Sequence, residues 1–279
     1  DSEKIDSVIG SEYIVAINET NGEEIWRTRV DSIFIDIDGW GNGPSSTPTI
    51  DEDKVYSFSS FGKLTANSKK DGKLIWQVDF AKEFGSVTAR WGDASSPIIV
   101  DEMIIMEAGG TDSRGFIAFN KIDGKVVWAN GDGEAHYNSP LLVTIDGKQQ
   151  LIFTNRNILF SFNLKGDTIW TYQLPFSYIK SMPVLVGTDK IFLSGVRNPG
   201  FVIVQIKDNK ATKVLDGSSM KNDYSSSCYK DGYLYGFHVA AFRCISAETG
   251  EVSWTKRGMG KGSLILIDDN LLVLSDQGK

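Results

Sequence analysis

The sequence predicts an all-β protein assembled from repeated four-stranded antiparallel units, and three observations predict it. Five of the seven tryptophans close the same short phrase, at residues 16–26, 66–76, 118–128, 161–170 and 244–254. An apolar run led by proline opens the units, after Pro48, Pro97, Pro140 and Pro183. The spacing between the two marks is nearly constant within a unit and variable between units. A supersecondary unit recurring every forty to fifty residues signals a propeller or solenoid.

The phrase itself reads as a hairpin. Glycine stands four residues before each tryptophan, usually after Asn, Asp or Thr, as in Asn21-Gly22, Asp71-Gly72, Asp123-Gly124 and Thr249-Gly250. Glycine adopts the positive φ of tight turns without strain, so such a pair between apolar runs marks a turn between two strands. The strand after the turn carries the tryptophan. One repeat cannot bury an indole alone, so the adjacent repeat must supply its pocket. Proline at the start of a strand removes no ladder hydrogen bond, which suits the runs after Pro48, Pro97, Pro140 and Pro183 to first strands. A turn with Asp then leads to a second strand, such as 55–58, 103–106 or 190–193. Each repeat thus contains four strands, and such units repeated around an axis are β-propeller blades.

Pro48, Pro97 and Pro140 precede the next tryptophan by 28, 31 and 30 residues, and the same offset from Pro183 places a lost tryptophan at Val214. From Trp26, Trp76, Trp128 and Trp170 to Pro48, Pro97, Pro140 and Pro183 the distances are 22, 21, 12 and 13. Insertions gather on surface loops that carry function, so the two long connections are where this protein is elaborated. Lys4 to Ile9 reads as a second strand, and 264–267 with 271–274 open a last, partial blade. The reading is one propeller domain over 1–279, seven-bladed with truncated terminal blades, with six and eight as alternatives.

Composition fits one large soluble β-domain, with 23% charged and 11% aromatic residues in 279. The net charge of −7 argues against a nucleic-acid partner, which needs a basic stripe. No apolar stretch approaches the length of a transmembrane helix, and no signal segment is visible. Cys228 and Cys244 fall on the first and third strands of one blade. Such strands lie about 9–10 Å apart, beyond disulfide reach, so free thiols are expected.

The Ala-x-Asn-x-x-x-Gly-x-x-x-Trp phrase of 16–26 resembles the tryptophan-docking motif of quinoprotein-type propeller repeats, named after pyrroloquinoline quinone (PQQ). The resemblance spans nearly the whole chain. Loop segments such as Lys82-Glu83-Phe84-Gly85, Arg90-Trp91-Gly92 and those beginning at Asp231 and Gly260 resemble bacterial PQQ-like repeat proteins. The outer-membrane assembly lipoprotein propeller is built on similar repeats. The resemblance implies a periplasmic or envelope setting. Its quinoprotein dehydrogenases hold PQQ with a vicinal Cys-Cys pair, a stacking Trp and a calcium site of Glu, Asn and Asp. This chain has no Cys-Cys pair, and no carboxylate maps onto that cage, so no cofactor is expected.

Histidines offer little chemistry. His136 sits in a connection and His238 ends an apolar strand, where a satisfied structural role is expected. What remains is the set of connections from each Trp strand to the next Pro strand, which a propeller gathers around its channel mouth. They carry Trp40, Asn42, Arg90, Trp91, His136, Tyr137, Tyr178, Lys180, Asn222, Asp223, Tyr224 and Lys261. Aromatic, Arg and Tyr side chains dominate binding hot spots. Trp40 and Trp91 either meet a partner or cap the apolar ends of their blades. The leading expectation is a non-catalytic scaffold binding a protein, peptide or glycan on this face. The alternative is a PQQ-type oxidoreductase, or a hydrolase, with Arg90 or Lys261 holding an anionic substrate and Asp93 or Asp223 as base.

Overall fold

A computed structural model of the chain describes residues 10–39, 41–134, 137–177 and 179–278. The second strand expected at Lys4–Ile9 lies outside them. The chain divides into two compact units, 1–136 and 137–279.

The first unit opens with an antiparallel pair, β1 (Ser11–Ile17) and β2 (Glu24–Ser32). Two four-stranded antiparallel sheets follow. One is β3 (Thr49–Asp51), β4 (Lys54–Phe58), β5 (Lys63–Ser68) and β6 (Leu74–Asp79), and the other is β7 (Ile98–Val100), β8 (Met103–Glu107), β9 (Phe116–Asn120) and β10 (Val126–Asn130). Within each sheet the strands neighbour one another in chain order, as a meander of short turns requires. The inner strands are buried along almost their whole length, because both faces of the sheet are covered. Tyr56, Phe58, Leu64 and Phe80 pack with Ile104, Ile117 and Phe119, which joins the two sheets face to face.

The second unit holds three such sheets and a final pair. They are β11 (Leu141–Ile145), β12 (Lys148–Asn155), β13 (Ile158–Phe162) and β14 (Thr168–Gln173); then β15 (Val184–Val186), β16 (Lys190–Ser194), β17 (Phe201–Lys207) and β18 (Lys210–Gly217). The third is β19 (Cys228–Lys230), β20 (Tyr233–His238), β21 (Ala241–Ser246) and β22 (Val252–Lys256), and the pair is β23 (Gly262–Ile267) with β24 (Asn270–Ser275). Strand β17 shows how these sheets stack. Val202, Val204 and Ile206 face one core with Ile152, Leu159 and Trp170, while Phe201 and Ile203 face another with Leu234 and Ile245. The period of two sends alternate side chains to opposite faces, and both faces meet a neighbouring sheet.

The tryptophan phrase forms one recurring structure. In each repeat the residue before the tryptophan is bulged out of the ladder. Trp26 pairs Ala16 while Glu24 pairs Ile17, and Trp76 pairs Ala66 while Leu74 pairs Asn67. The same break precedes Trp128, Trp170 and Trp254. A bulge sets two residues against one and re-aims the next side chain. For Trp26 and Trp76 that side chain lands on the next hairpin. The Trp26 indole N–H donates to the Lys69 carbonyl (3.0 Å) and that of Trp76 to the Lys121 carbonyl (3.3 Å), each acceptor three residues before the turn glycine. A Cβ on Gly72 would stand 2.5 Å from the Trp26 ring, and one on Gly124 2.7 Å from the Trp76 ring. Both glycines have φ of +71°, so backbone and contact alike demand glycine there.

Three sequence expectations need correction. The position equivalent to the lost tryptophan is Leu215, not Val214. Leu215 pairs Ile203 and Val214 is the bulged residue, so counting from Pro183 misses the register by one. The indoles are also not uniformly buried by the next repeat. Trp26, Trp76 and Trp128 are half-buried, and Trp254 is 43% exposed against Tyr235 and Phe242 of its own sheet. Trp170 alone among the repeat tryptophans is buried, in the core it shares with Val202, Val204 and Ile206 of the next sheet, while its N–H donates to Gln150 Oε1 (2.9 Å) of its own sheet. Finally, the connection after β6 begins with a short helix, α1 (Phe80–Phe84), which the strand reading passed over. Asp79 caps its N-terminus through Lys82 N, and Gly85 ends it in the left-handed conformation.

Cys228 and Cys244 are free, as expected. Both pair with Tyr235, from β19 and β21 on either side of β20, so Tyr235 stands between them.

Candidate interaction surface

The sequence-predicted residues gather in two clusters, one in each unit. Trp40, His136 and Tyr178 lie outside the described residues. Tyr137 is half-buried beside the entry to β11.

In the first unit the two long connections meet at Asp38, a residue the sequence reading did not single out. Arg90 Nε and Nη2 donate to the two Asp38 carboxylate oxygens (3.0 and 3.2 Å), and the Trp91 indole N–H donates to Oδ2 (2.7 Å). The guanidinium also lies over the Trp91 ring, 5.7 Å from its centroid. These hydrogen bonds, from Arg90 first and Trp91 next, hold the Asp38 carboxyl below the usual carboxylate range. Asn42 braces the same loop by accepting from the Asp36 backbone N–H (3.0 Å), and Asp36 in turn accepts from Asp38 N (2.9 Å). Trp91 is therefore neither a core cap nor a loose surface ring. It is a half-buried indole pinned by a surface ion pair.

Asp93 stands just behind. It is 2% exposed, accepts from Ala89 N (3.0 Å), and donates its own N–H to the Ser60 carbonyl. Burial pushes its carboxyl up to about 6. Such a group titrates near neutrality, but it is enclosed beneath Gly62 rather than presented to a substrate.

In the second unit three successive connections converge on Asp223. Lys261 Nζ donates to Oδ2 (2.7 Å) and Lys180 Nζ lies 3.6 Å from Oδ1. Both ammonium groups also sit over the Tyr224 ring, 4.2 Å (Lys180) and 4.7 Å (Lys261) from its centroid. The hydrogen bond to Asp223 raises the Lys261 pKa. Tyr224 is 50% exposed and borders a pocket of about 200 Å³ with Asp223, Ser225, Phe237, Val239, Lys261, Gly262 and Ser263.

Asn222, predicted as a contact residue, is instead a buried anchor. It is 1% exposed; its N–H donates to Ser194 Oγ and its Nδ2 to the Phe237 carbonyl, and it accepts from Ser227 Oγ. A buried amide must spend its hydrogen bonds inside, and here they fix the loop that presents Asp223 and Tyr224. Lys261 and Arg90, offered as holders of an anionic substrate, already hold carboxylates of the chain itself. His238 also departs from expectation, because its Nδ1 is buried with no hydrogen-bond partner.

Among the described residues no three His, Cys, Asp or Glu side chains converge as a metal site. The two cysteines are separated by a strand, whereas a vicinal pair is what the quinoprotein dehydrogenases use.

Structural comparison places the whole fold. BamB from Moraxella catarrhalis is similar with a TM-score of 0.72 at 17% identity, over 96% of this chain and 77% of that one. A europium-containing methanol dehydrogenase is similar with a TM-score of 0.65 at 12% identity, over 96% and 69%. No curated protein matches by sequence. The fold class is thus the β-propeller of four-stranded antiparallel blades. A family model described as outer membrane protein assembly factor BamB matches residues 10–256, and the chain belongs to that family.

Proposed function

We propose that this chain is a non-catalytic binding scaffold of the bacterial cell envelope. It takes part in outer-membrane protein assembly by holding a protein or peptide partner on the connections between its blades. The observation that carries this reading is the locking of three connections onto Asp223. They set Tyr224 as a fixed, half-exposed aromatic face with an ammonium group over it on each of two loops. Rigid aromatic surface beside charge is what binding hot spots use, because little side-chain entropy is lost on contact. A peptide bearing carboxylates suits that face better than a neutral glycan. The envelope setting is supported by the family's description and by the BamB relative.

The catalytic alternative lacks support in the arrangement of charge. Asp223 is engaged by two lysines of the chain itself, and Asp93 is enclosed. Neither PQQ nor calcium is needed by a scaffold of this kind.

The test is site-specific photo-crosslinking in cells, with a benzophenone side chain at Tyr224 or Trp91 and at Ile122 as control. Ile122 is 60% exposed in the hairpin turn between β9 and β10 and belongs to neither cluster. Adducts to an envelope protein from Tyr224 or Trp91 but not from Ile122 are expected. Equal labelling at all three positions would count against the reading. So would saturable binding of PQQ with calcium that raises the melting temperature.

A further inference from the structure

The hairpin between β20 and β21 shapes a second pocket that none of the roles above uses. It encloses about 520 Å³ and is lined by His238, Val239, Ala240, Ala241, Arg243, Arg257 and Gly258. No acidic residue lines it, in a chain whose net charge is −7. Neither Arg243 nor Arg257 has a carboxylate partner among the described residues. Arg243 is held from behind: Nη1 donates to the Ser219 carbonyl (2.6 Å) and Nε to Thr255 Oγ1 (3.2 Å). A guanidinium has five N–H donors, so this anchoring leaves others for a ligand. Arg257 is exposed at the rim.

Two further features belong to the same pocket. The buried, unpartnered Nδ1 is that of His238 at its wall. Val239 at the hairpin tip has φ of +57°, held there by its N–H donating to the Lys221 carbonyl (3.1 Å). A β-branched residue in that region is an outlier, and such strain gathers at ligand sites. The electrostatics agree. Burial first, and then the charge of Arg257, lower the Arg243 pKa; burial, Arg243 and Lys221 lower that of His238. Positive charge is concentrated here without compensation, and an anion would relieve it.

We infer that this pocket binds the phosphate group of an anionic ligand, with Arg243 and Arg257 as its paired guanidinium clamp and His238 as a third polar contact. Guanidinium groups match phosphate oxygens in two-point geometry, and the volume leaves room for the substituent that carries the phosphate. The inference stands apart from the scaffold role, since it needs neither Tyr224 nor a protein partner.

The experiment titrates the full chain with inorganic phosphate at constant ionic strength, by calorimetry. A parallel flotation assay uses vesicles of phosphatidylglycerol and of phosphatidylcholine. The variants are Arg257→Glu and, as an equal charge change on β2, Arg29→Glu. Saturable binding to the wild type is expected, weakened about tenfold or more by Arg257→Glu and little changed by Arg29→Glu. Phosphate binding without vesicle binding identifies a phosphate-bearing solute. Flotation with phosphatidylglycerol alone, lost in Arg257→Glu, identifies a lipid headgroup. Absence of both, or equal loss in the two variants, overturns the proposal. Melting curves confirm that the variants are folded.

Discussion

The two units use the same sequence slot in different ways. In the first, Trp26 and Trp76 reach the following hairpin, cover its glycine and donate to its backbone. In the second, Trp170 is buried in the core it shares with β17 and bonds Gln150 of its own sheet, Leu215 replaces the indole, and Trp254 stands half in solvent. Gly250, which follows the replaced tryptophan, meets Phe201 and Leu215 instead of an indole. The bulge before the slot is the same in every case. It sets the direction of the side chain, while the neighbour decides whether that direction yields a polar dock, a core contact or an exposed ring. One motif therefore has several energetic values.

That contrast can be broken by substitution. Trp170→Ala is expected to have the largest effect, a loss of about 3–5 kcal/mol, because it empties a buried site and strips Gln150 Oε1 of a donor. Denaturant unfolding measures it. Gly72→Ala comes next. Placing a Cβ on a positive-φ residue costs about 1–2 kcal/mol, and pressing it into the Trp26 ring adds a similar amount. In a Trp26→Ala background the second part should vanish, so a double-mutant cycle separates strain from contact.

Asp93 offers a test by pH. Its folded-state carboxyl is raised from about 3.8 to about 6, so between those values the folded protein binds more protons than the unfolded chain. Stability then falls as pH rises through that window, by up to about 3 kcal/mol for a shift of this size. Asp93→Asn should flatten the slope and leave the protein more stable at pH 7, read from melting temperatures at pH 4, 5, 6 and 7. Smallest of all is Trp254→Ala. A ring so exposed should cost under about 1 kcal/mol, several times less than Trp170→Ala. Similar losses in the two variants would erase the distinction between the slots.

Much of the fold was legible because it repeats. A hairpin glycine at fixed offset from a tryptophan depends on local backbone chemistry, so it can be recognised in one sequence and confirmed by its recurrence. Four strands per repeat, the proline entries and the free cysteines followed from the same local rules. The register of the lost tryptophan did not, because a bulge adds a residue that counting cannot see. The short helix was signalled by Asp79 and Gly85 but hidden among strands.

The candidate surface was legible only as a set of loops. Sequence placed Arg90, Trp91, Lys180, Asp223, Tyr224 and Lys261 in the connections, and their residue types marked them for recognition. It could not show that Asp38 pins one cluster, that Asn222 is a buried anchor, or that Lys180 and Lys261 share one carboxylate. The ion pairs among them join residues 38 to 52 positions apart, and charge pairing over such distances leaves no periodic trace. The repeat, its turns and its strands were determined by nearest-neighbour backbone preferences written in the chain. Which side chains met in space was decided by how the sheets stack and where the connections cross, and that is known only when the tertiary structure closes.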